Sequence, residues 1–147
     1  MLKRRRLKER RFAADVNHRI SKAIVRKARD TGRGIAVEDL TGIRERTTVR
    51  RSQRRTHHGW AFHQLRVFMA YKAQASGVAF VAVDPRYTSQ TCPECGVVDR
   101  KNRPTRDRFQ CVGCGFVGPA DHIAARNIAS RGAAGWAARH AAERGAA

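Results

Sequence analysis

The sequence predicts an α/β fold in which helices cover a small sheet, and the order of its segments supports this prediction. Two segments, residues 12–30 and 60–75, have helical periodicity, and each precedes a short apolar segment typical of a buried strand, at residues 35–37 and 78–83. The order helix–strand–helix–strand is that of proteins in which a sheet is layered with helices. Four cysteines within residues 92–114 add a small metal-binding unit to this α/β body.

The first helix is predicted over residues 12–30 because one stripe recurs at steps of three and four residues. This helix should end at the turn that contains Gly32 and Gly34. Residues 1–11 are almost all charged, so they form a basic arm that is either frayed or the exposed start of the helix. The predicted stripe consists of Phe12, Val16, Ile20, Ala23, Ile24, Lys27 and Ala28.

The later elements follow from similar patterns. Residues 60–75 form a second helix, whose Trp60, Phe62, Phe68 and Met69 are most simply core residues. The continuous apolar run at 78–83 ends at an Asp-Pro pair and suits a buried, parallel strand. A short helix is expected from Ile123 to Ala129. The Ala/Gly/Arg-rich tail, residues 131–147, is expected to be a weak helix through Trp136 or a flexible segment.

The chain is strongly basic, with 31 Lys and Arg residues against 12 acidic ones and a formal net charge of +19. Such an excess opposes a compact fold through self-repulsion unless a polyanion neutralises it. Nucleic acid is the usual polyanion, because Lys and Arg side chains on phosphates release condensed counterions. Residues 1–55 hold 19 of the 31 basic residues, so most of the contact is expected there. No long apolar segment or lipidation motif supports a membrane as the partner.

The four cysteines form two C-x2-C pairs, Cys92 with Cys95 and Cys111 with Cys114, each followed by a glycine. Two thiolates three residues apart can bind one ion from a tight turn, and the glycine permits a positive φ that turns N–H groups toward sulfur. The basic N-terminus has no apolar stretch of a secretory signal, so we expect an intracellular protein with reduced thiols. Free cysteines or disulfides are the alternatives. The spacing favours a structural Zn²⁺ ribbon over residues 88–118.

Basic and aromatic residues in two regions are candidates for contact with nucleic acid. Residues 41–58 are predicted to form a basic loop that either lines a nucleic-acid groove or only solubilises the protein. The hairpin between the cysteine pairs either touches phosphate or is an ordinary solvated turn. Tyr87 can stack on a base, but packing beneath the first cysteine pair is the simpler expectation. The candidate contacts are Arg44, Arg46, Arg50, Arg51, Arg54, Arg55, Tyr87, Arg103 and Arg106.

Three carboxylates lie where predicted elements begin or end. Glu38 and Asp39 follow the strand at 35–37, and Asp121 precedes the last helix. A two-metal nuclease needs carboxylates that converge on Mg²⁺ or Mn²⁺ from rigid strand ends. Each residue also has a simpler explanation, since Asp121 suits a helix N-cap and the other two can cap the strand end. Their spacing alone therefore leaves both catalysis and capping open.

Several motifs in one order along the chain carry a family resemblance. Over about residues 12–130 the chain resembles the C-terminal part of TnpB, the OrfB-type, transposon-encoded RNA-guided DNA endonuclease that is related to compact type V CRISPR effectors. The motifs that carry this resemblance are Asn17-His18-x-x-Ser21-Lys22, Val37-Glu38-Asp39-Leu40, Trp60-x-Phe62-x-x-Leu65, Tyr71-Lys72 and Val83-Asp84-Pro85-Arg86-Tyr87-Thr88-Ser89-Gln90-Thr91-Cys92-Pro93-x-Cys95-Gly96.

The resemblance implies a partial RNase H-like, RuvC-like nuclease fold with an inserted zinc ribbon that binds target nucleic acid. It implies that Glu38 and Asp121 are the second and third catalytic acids, and that DNA and guide RNA are partners in a bacterial cytoplasm, near the nucleoid. Ile123 stands where the family usually has Asn. The implied segments are a basic arm at 1–11, the RuvC-like part at 12–87 and 119–130, the ribbon at 88–118 and a flexible tail at 131–147.

The resemblance also implies a first catalytic Asp, in an Asp-x-Gly on a strand that precedes residue 12, and this chain starts after that position. Asp15 and Asp84 lie on other predicted elements, so neither is expected to replace it. The sequence therefore predicts a zinc-containing, nucleic-acid-binding chain that does not cut DNA alone. The alternative is an active nuclease whose missing Asp comes from upstream or from another chain. An independent zinc-ribbon module would not explain the motifs outside the ribbon.

Overall fold

The computed structural model describes residues 2–41 and 62–145, which fall into two compact units. The first unit contains the two helices that precede residue 80, and the second contains the cysteine region and the last helix. The boundary between the units falls inside two strands, after Ile35 and after Phe80. In chain order the described elements are α1 (Leu2–Asp30), β1 (Ile35–Glu38), α2 (Phe62–Ala75), β2 (Phe80–Val83), a 3₁₀ turn (Arg100–Asn102), β3 (Arg108–Gln110), β4 (Val117–Pro119) and α3 (Ala120–Gly145).

Helix α1 begins at Leu2, so the charged segment at 2–11 is the start of this helix rather than a frayed arm, and Arg5 and residues 7–11 are exposed. The predicted apolar stripe was wrong in its orientation, because Phe12, Ile20 and Ile24 are 69%, 40% and 38% exposed. The four buried positions of α1 follow steps of four and three; Ala28 belongs to the predicted stripe, whereas the other three each lie one residue after a predicted position. They are Asn17, Ser21, Val25 and Ala28.

Small polar side chains replace large apolar ones on the buried face of α1 because α2 packs closely against it. The hydroxyl of Ser21 donates to the carbonyl oxygen of Asn17 at 2.6 Å, and the amide of Asn17 donates to Gln64 of α2 at 3.1 Å. Nζ of Lys72 donates to the carbonyl oxygen of His18 at 2.8 Å, and burial lowers the pKa of this lysine, as does nearby Lys22. These bonds satisfy the polar groups that the contact buries.

The core of the first unit lies at the end of this helix pair. Val25, Ala28, Ala73 and Val78 form one buried cluster, and Ile35 and Phe80 pack against it. Met69 is buried as expected for a core residue, but Phe62 is 47% exposed and is not part of the core. Trp60 lies outside the described residues.

Strands β1 and β2 form a two-stranded sheet. The N–H of Ile35 donates to the carbonyl oxygen of Ala79 at 2.7 Å, and the N–H of Asp39 donates to that of Val83 at 2.8 Å. Both strands advance in the same direction from one bond to the other, which is the pattern of a parallel pair. This agrees with the parallel strand that the apolar run at 78–83 predicted. None of the described helices is long and apolar enough to cross a membrane.

The second unit is built on α3 and the ribbon. β3 pairs antiparallel with β4, and Phe109 of β3 is fully buried in a cluster with Cys92, Cys111, Ala120 and Ile123. Helix α3 continues to Gly145, well past the predicted end at Ala129. The tail predicted as a weak helix or flexible segment is therefore helical through Gly145. Its many alanines explain this, because Ala has the highest helix propensity.

Two glycines of α3 provide a matched test of packing in the second unit. A Cβ on Gly132 would lie 2.5 Å from Cβ of Ala36, whereas a Cβ on Gly135 would meet nothing within 4 Å. Gly132→Ala should lower the free energy of unfolding by roughly 1–3 kcal/mol because the site is overpacked. Gly135→Ala should raise it by about 0.5–1 kcal/mol, because Ala loses less entropy than Gly in a helix. Urea unfolding of both variants measures this, and equal effects would contradict the close approach of α3 to β1.

Candidate metal centre

The four cysteine thiols form one cluster. Sγ of Cys92 lies 3.6 Å from Sγ of Cys114, Sγ of Cys95 lies 3.5 Å from Sγ of Cys111, and all four lie within 4.8 Å of one another. A disulfide would need about 2.05 Å between sulfurs. Four ligands placed tetrahedrally at about 2.3 Å from one ion lie about 3.8 Å apart, close to the observed spacing. The thiols are therefore arranged so that they could bind one metal ion.

The same backbone turn holds each cysteine pair. The glycine after each pair, Gly96 or Gly115, has a φ of 76°, which confirms the predicted positive φ. Its N–H donates to the carbonyl oxygen of the first cysteine of the pair at 3.0 Å in both turns. The first cysteine in turn donates its N–H to the residue after the glycine, at 2.9 Å for Cys92 and 2.8 Å for Cys111. Any other residue at this φ would be strained, since only glycine lacks the Cβ that clashes.

Backbone N–H groups lower the pKa of the Cys111 thiol. Cys114 and Gly113 donate their N–H groups to Sγ of Cys111 at 3.4 Å and 3.3 Å. These bonds, with that of Cys114 the stronger, outweigh burial and lower the pKa of Cys111 to about 6.

The pKa values of Cys95 and Cys114 are shifted in the opposite direction, above the usual value of a thiol. A hydrogen bond from Phe116 lowers the pKa of Cys114, but the nearby Cys95 thiol and burial outweigh it and raise that pKa to about 12. Thiolates this close repel one another, so the ionisation of one opposes that of the next. A bound cation reverses this balance, because its charge deprotonates coordinating thiols outright. Four clustered thiols therefore favour a cation at their centre.

Asn102 joins the two cysteine turns, a role that the sequence did not predict. Its side chain is fully buried in the hairpin between the two cysteine pairs, for which the sequence predicted either phosphate contact or a solvated turn. Nδ2 donates to the carbonyl oxygens of Gln90 and Val97 at 2.8 Å and 3.1 Å, beside the first turn. Oδ1 accepts from the N–H of Val112, inside the second turn, at 2.8 Å. Only an amide supplies both donors and an acceptor here, but a single Asn among charged residues gives no pattern that would reveal this role.

Helix α3 holds the ribbon and the segment that precedes it. Arg126 forms an ion pair with Glu94 of the first cysteine turn at 2.7 Å. Asn127 donates through Nδ2 to the carbonyl oxygens of Thr88 and Thr91, each at 2.8 Å. No role was predicted for Arg126 and Asn127. Arg126 and Asn127 are adjacent on α3, and both contact the segment of residues 88–94.

The two predicted catalytic acids lie in the second unit. Glu38 ends β1 and is partly buried, whereas Asp121 lies in the first turn of α3 with a side chain that is 88% exposed. A guanidinium nitrogen of Arg103 lies 3.6 Å from Oδ1 of Asp121. Helix α3 begins one residue earlier, so Asp121 occupies its first turn, where a negative charge favours the helix dipole. In the part of the chain that the structure describes, the four cysteines are the one group of three or more metal-binding side chains.

The candidate nucleic-acid contacts divide into described and undescribed residues. Arg103 donates to the carbonyl oxygen of Arg106 at 2.7 Å, so the hairpin fixes one guanidinium, while Arg106 itself is exposed. Tyr87 is 47% exposed, so the expectation that it packs beneath the first cysteine pair was wrong. The candidates outside the described residues are Arg44, Arg46, Arg50, Arg51, Arg54 and Arg55.

Comparison with known proteins agrees with the motifs. Residues 62–128 match the family model of the Cas12f1-like TNB domain. The chain is 41% identical over 119 residues to the CRISPR-associated endodeoxyribonuclease Cas12f1 of Sulfoacidibacillus thermotolerans, which covers 80% of this chain and 27% of that protein. It is 35% identical over 123 residues to the TnpB-like protein MJ0751 of Methanocaldococcus jannaschii, which covers 82% of this chain and 43% of that protein. This chain is a TnpB-like protein.

A solved structure is similar to the TnpB-like chain as well. The match is a chain of the cryo-EM structure of the Cas12f1–sgRNA–target DNA complex, with a TM-score of 0.65 and 25% sequence identity. It covers 83% of the TnpB-like chain and 34% of the Cas12f1 chain. The TnpB-like chain thus spans less than half the length of these relatives. The resemblance predicted from the motifs is confirmed.

Removal of the Asn102 amide should loosen the cysteine turns of the TnpB-like chain. Asn102→Ala leaves the N–H of Val112 without its partner and removes one of the two hydrogen bonds accepted by each of the carbonyl oxygens of Gln90 and Val97, at a cost of about 1–3 kcal/mol. Asn102→Asp keeps an acceptor for Val112 but buries a carboxylate against the carbonyl oxygens of Gln90 and Val97, so it should destabilise the turns at least as much as Asn102→Ala. Lys101→Ala, on the exposed neighbouring position, should change little. Urea unfolding and the rate of thiol modification measure this, and an unchanged Asn102→Ala variant would contradict the assignment.

Proposed function

We propose that this TnpB-like chain binds nucleic acid through a zinc ribbon attached to part of a RuvC-like domain, and that it does not cut DNA by itself. The cluster of four thiols carries the proposal, because it lies in a chain with a net charge of +19. The parallel pair of β1 and β2, with Glu38 at the end of β1, supports the RuvC-like part. So does the similarity to the Cas12f1 chain.

The donor set favours Zn²⁺ among the metals available to a protein. Four sulfur ligands in tetrahedral arrangement suit zinc or iron–sulfur centres, and a site with four protein ligands has no open position for substrate. Such a site is structural. The buried cluster around Phe109 is small, so the ion would contribute much of the free energy that folds the ribbon.

Removal of the metal should therefore unfold the ribbon while α1 and α2 remain folded. We expect about one zinc per chain, lost on chelation or in Cys92→Ser and Cys111→Ser, with loss of protection of the N–H groups of Cys92 and Cys111 from hydrogen exchange. Ala73, buried between helices of the first unit, reports the unaffected part. Elemental analysis and hydrogen exchange measure both. A ribbon that stays folded and protected without metal would contradict the structural role of zinc.

The hairpin between the cysteine pairs is one described surface suited to phosphate. Arg100, Lys101, Arg106 and Arg108 are exposed there, and Arg103 is partly exposed. The matched Cas12f1 structure is a complex with sgRNA and target DNA. By analogy, the proposed partners of this chain are DNA and guide RNA. The basic residues at 41–58 extend the same proposal on the evidence of the sequence alone.

Affinity for DNA and RNA should fall steeply as salt rises, because arginines that bind phosphates release counterions. Replacement of Arg100, Arg106 and Arg108 by Gln should lower the slope of log affinity against log salt by about 1 for each phosphate that is no longer neutralised. Arg29→Gln is the matched control, since this exposed arginine of α1 already pairs with Asp30 at 3.0 Å. Fluorescence anisotropy with labelled oligonucleotides measures the slopes. A flat salt response in the parent chain would refute binding through phosphate.

The proposed lack of cleavage rests on the small number of acids that the chain offers for a nuclease site. Two-metal hydrolysis needs several carboxylates around the ions, and Glu38 with Asp121 supplies two. Arg103, 3.6 Å from Asp121, would partly neutralise that acid. The chain with Mg²⁺ or Mn²⁺ should leave single- and double-stranded DNA intact. Cleavage that disappears in both Glu38→Ala and Asp121→Ala would favour the alternative, an active RNA-guided DNA endonuclease whose further Asp comes from upstream or from another chain.

A further inference from the structure

Tyr87 has an unusual backbone conformation. Among the described residues it is the one non-glycine residue with a positive φ, at 62°. Such a conformation costs a residue with a Cβ about 1–3 kcal/mol, and it persists only where the surroundings impose it. Tyr87 is also 47% exposed, so burial of its side chain is incomplete and offsets only part of this cost. The conformation must therefore be held by other contacts.

The turn after Tyr87 supplies the first of these contacts. The carbonyl oxygen of Tyr87 accepts from the N–H of Gln90 at 2.9 Å, the N–H of Thr91 at 3.0 Å and the hydroxyl of Thr91 at 2.8 Å. Thr88, which is 2% exposed, donates its hydroxyl to the carbonyl oxygen of Pro85 at 2.8 Å. These bonds fix the backbone of the turn and leave the Tyr87 ring exposed.

Side chains of helix α3 form hydrogen bonds to the same segment, residues 84–91. Asn127, which is 8% exposed, donates to the carbonyl oxygens of Thr88 and Thr91 on one side of the turn. Arg131 donates to the carbonyl oxygens of Asp84 and Arg86 at 2.8 Å and 2.7 Å on the other side. These four carbonyl groups flank Tyr87 in the chain. The segment is thus rigid and preorganised around an exposed ring.

The side chain of Arg86 lies against the exposed Tyr87 ring. Its Cζ lies 4.9 Å from the centroid of the Tyr87 ring, within the range of a cation–π contact, and a guanidinium nitrogen donates to the Tyr87 hydroxyl at 3.2 Å. Asp84 accepts the N–H of Arg86 through Oδ1 at 2.9 Å, which orients the backbone of that residue. An exposed aromatic ring is thereby paired with a cation on a rigid turn.

We propose that Tyr87 and Arg86 form a stacking platform for one unpaired nucleobase of a single strand, with the Arg86 guanidinium at the adjacent phosphate. The proposal rests on the nucleic-acid binding proposed above. An aromatic ring next to a cation matches the two parts of a nucleotide, since the base has a π-face and the phosphate is an anion. Bases within a duplex already stack on each other, so the platform selects an unpaired one. It discriminates little among bases, because each has a π-face.

The experiment compares binding to two single strands, one with bases and one without. The probes are a fluorescein-labelled 12-mer of thymidylate and the same backbone with abasic sites, which keeps the phosphates but removes the bases. Binding of the zinc-loaded full chain is measured by anisotropy. Tyr87→Ala should weaken binding to the thymidylate strand about five- to hundredfold and leave binding to the abasic strand unchanged. Tyr87→Phe, which keeps the ring, should bind both strands like the parent.

Tyr87→Gly separates loss of stacking from loss of folding. Glycine adopts a positive φ without strain, so this variant should be at least as stable as the parent in urea and yet bind the thymidylate strand as weakly as Tyr87→Ala. Arg86→Gln should lower the salt slope by about 1, whereas Tyr87→Gly should leave the slope unchanged.

Two results would overturn the platform while nucleic-acid binding stands. One is salt-dependent binding by the parent that Tyr87→Gly retains in full on the thymidylate strand. The other is an equal loss on both strands in Tyr87→Gly, which would make Tyr87 a structural residue. A parent chain that binds neither strand would instead refute the proposed function, and the platform with it.

Discussion

Four thiols within 4.8 Å of one another are the constraint on which the second unit depends. Each thiolate raises the cost of ionising the next, so the protein has to bring the sulfurs together by other contacts before a cation can hold them. Two tight turns with glycine at positive φ place each pair, and the Asn102 amide bridges one turn to the other. The N–H groups of Cys114 and Gly113 lower the pKa of Cys111, which favours its thiolate form.

Helix α3 is the common support for the candidate functional groups of the second unit. Its first turn carries Asp121, its second holds the first cysteine turn through Arg126, and Asn127 with Arg131 holds the turn of Tyr87. Residues on one helix keep fixed distances, so the acid, the ribbon and the proposed stacking platform keep their relative positions. Close contact of Gly132 with Ala36 brings β1, and with it Glu38, against the same helix. A rigid mount of this kind positions groups more accurately than a loop does.

In the first unit, hydrogen bonds between small and polar residues of α1 and α2 replace the clustered thiols of the second. Its two helices meet through small and polar residues whose hydrogen bonds are satisfied across the contact, as in the pairs of Asn17 with Gln64 and of Lys72 with Ser21. Large apolar residues such as Phe12 and Ile24 remain on the exposed side of α1. Periodicity identified the helix but assigned the wrong face, because the prediction equated apolar with buried. A satisfied polar group can be buried at little cost, whereas a large side chain would keep the helices apart.

The sequence by itself determined the features that depend on neighbours along the chain. Cysteine spacing, the positive φ of Gly96 and Gly115, the two helices, the parallel strand after residue 78 and the TnpB-like motifs all follow from local patterns. The tertiary structure decided which face of α1 is buried, how far α3 continues past Ala129, and that a buried Asn102 joins the two cysteine turns. The structure also leaves Tyr87 47% exposed, whereas the sequence favoured its packing beneath the first cysteine pair. Each of these depends on atoms far apart in the chain, and a local pattern contains no information about the partner that a buried amide or a strained turn requires.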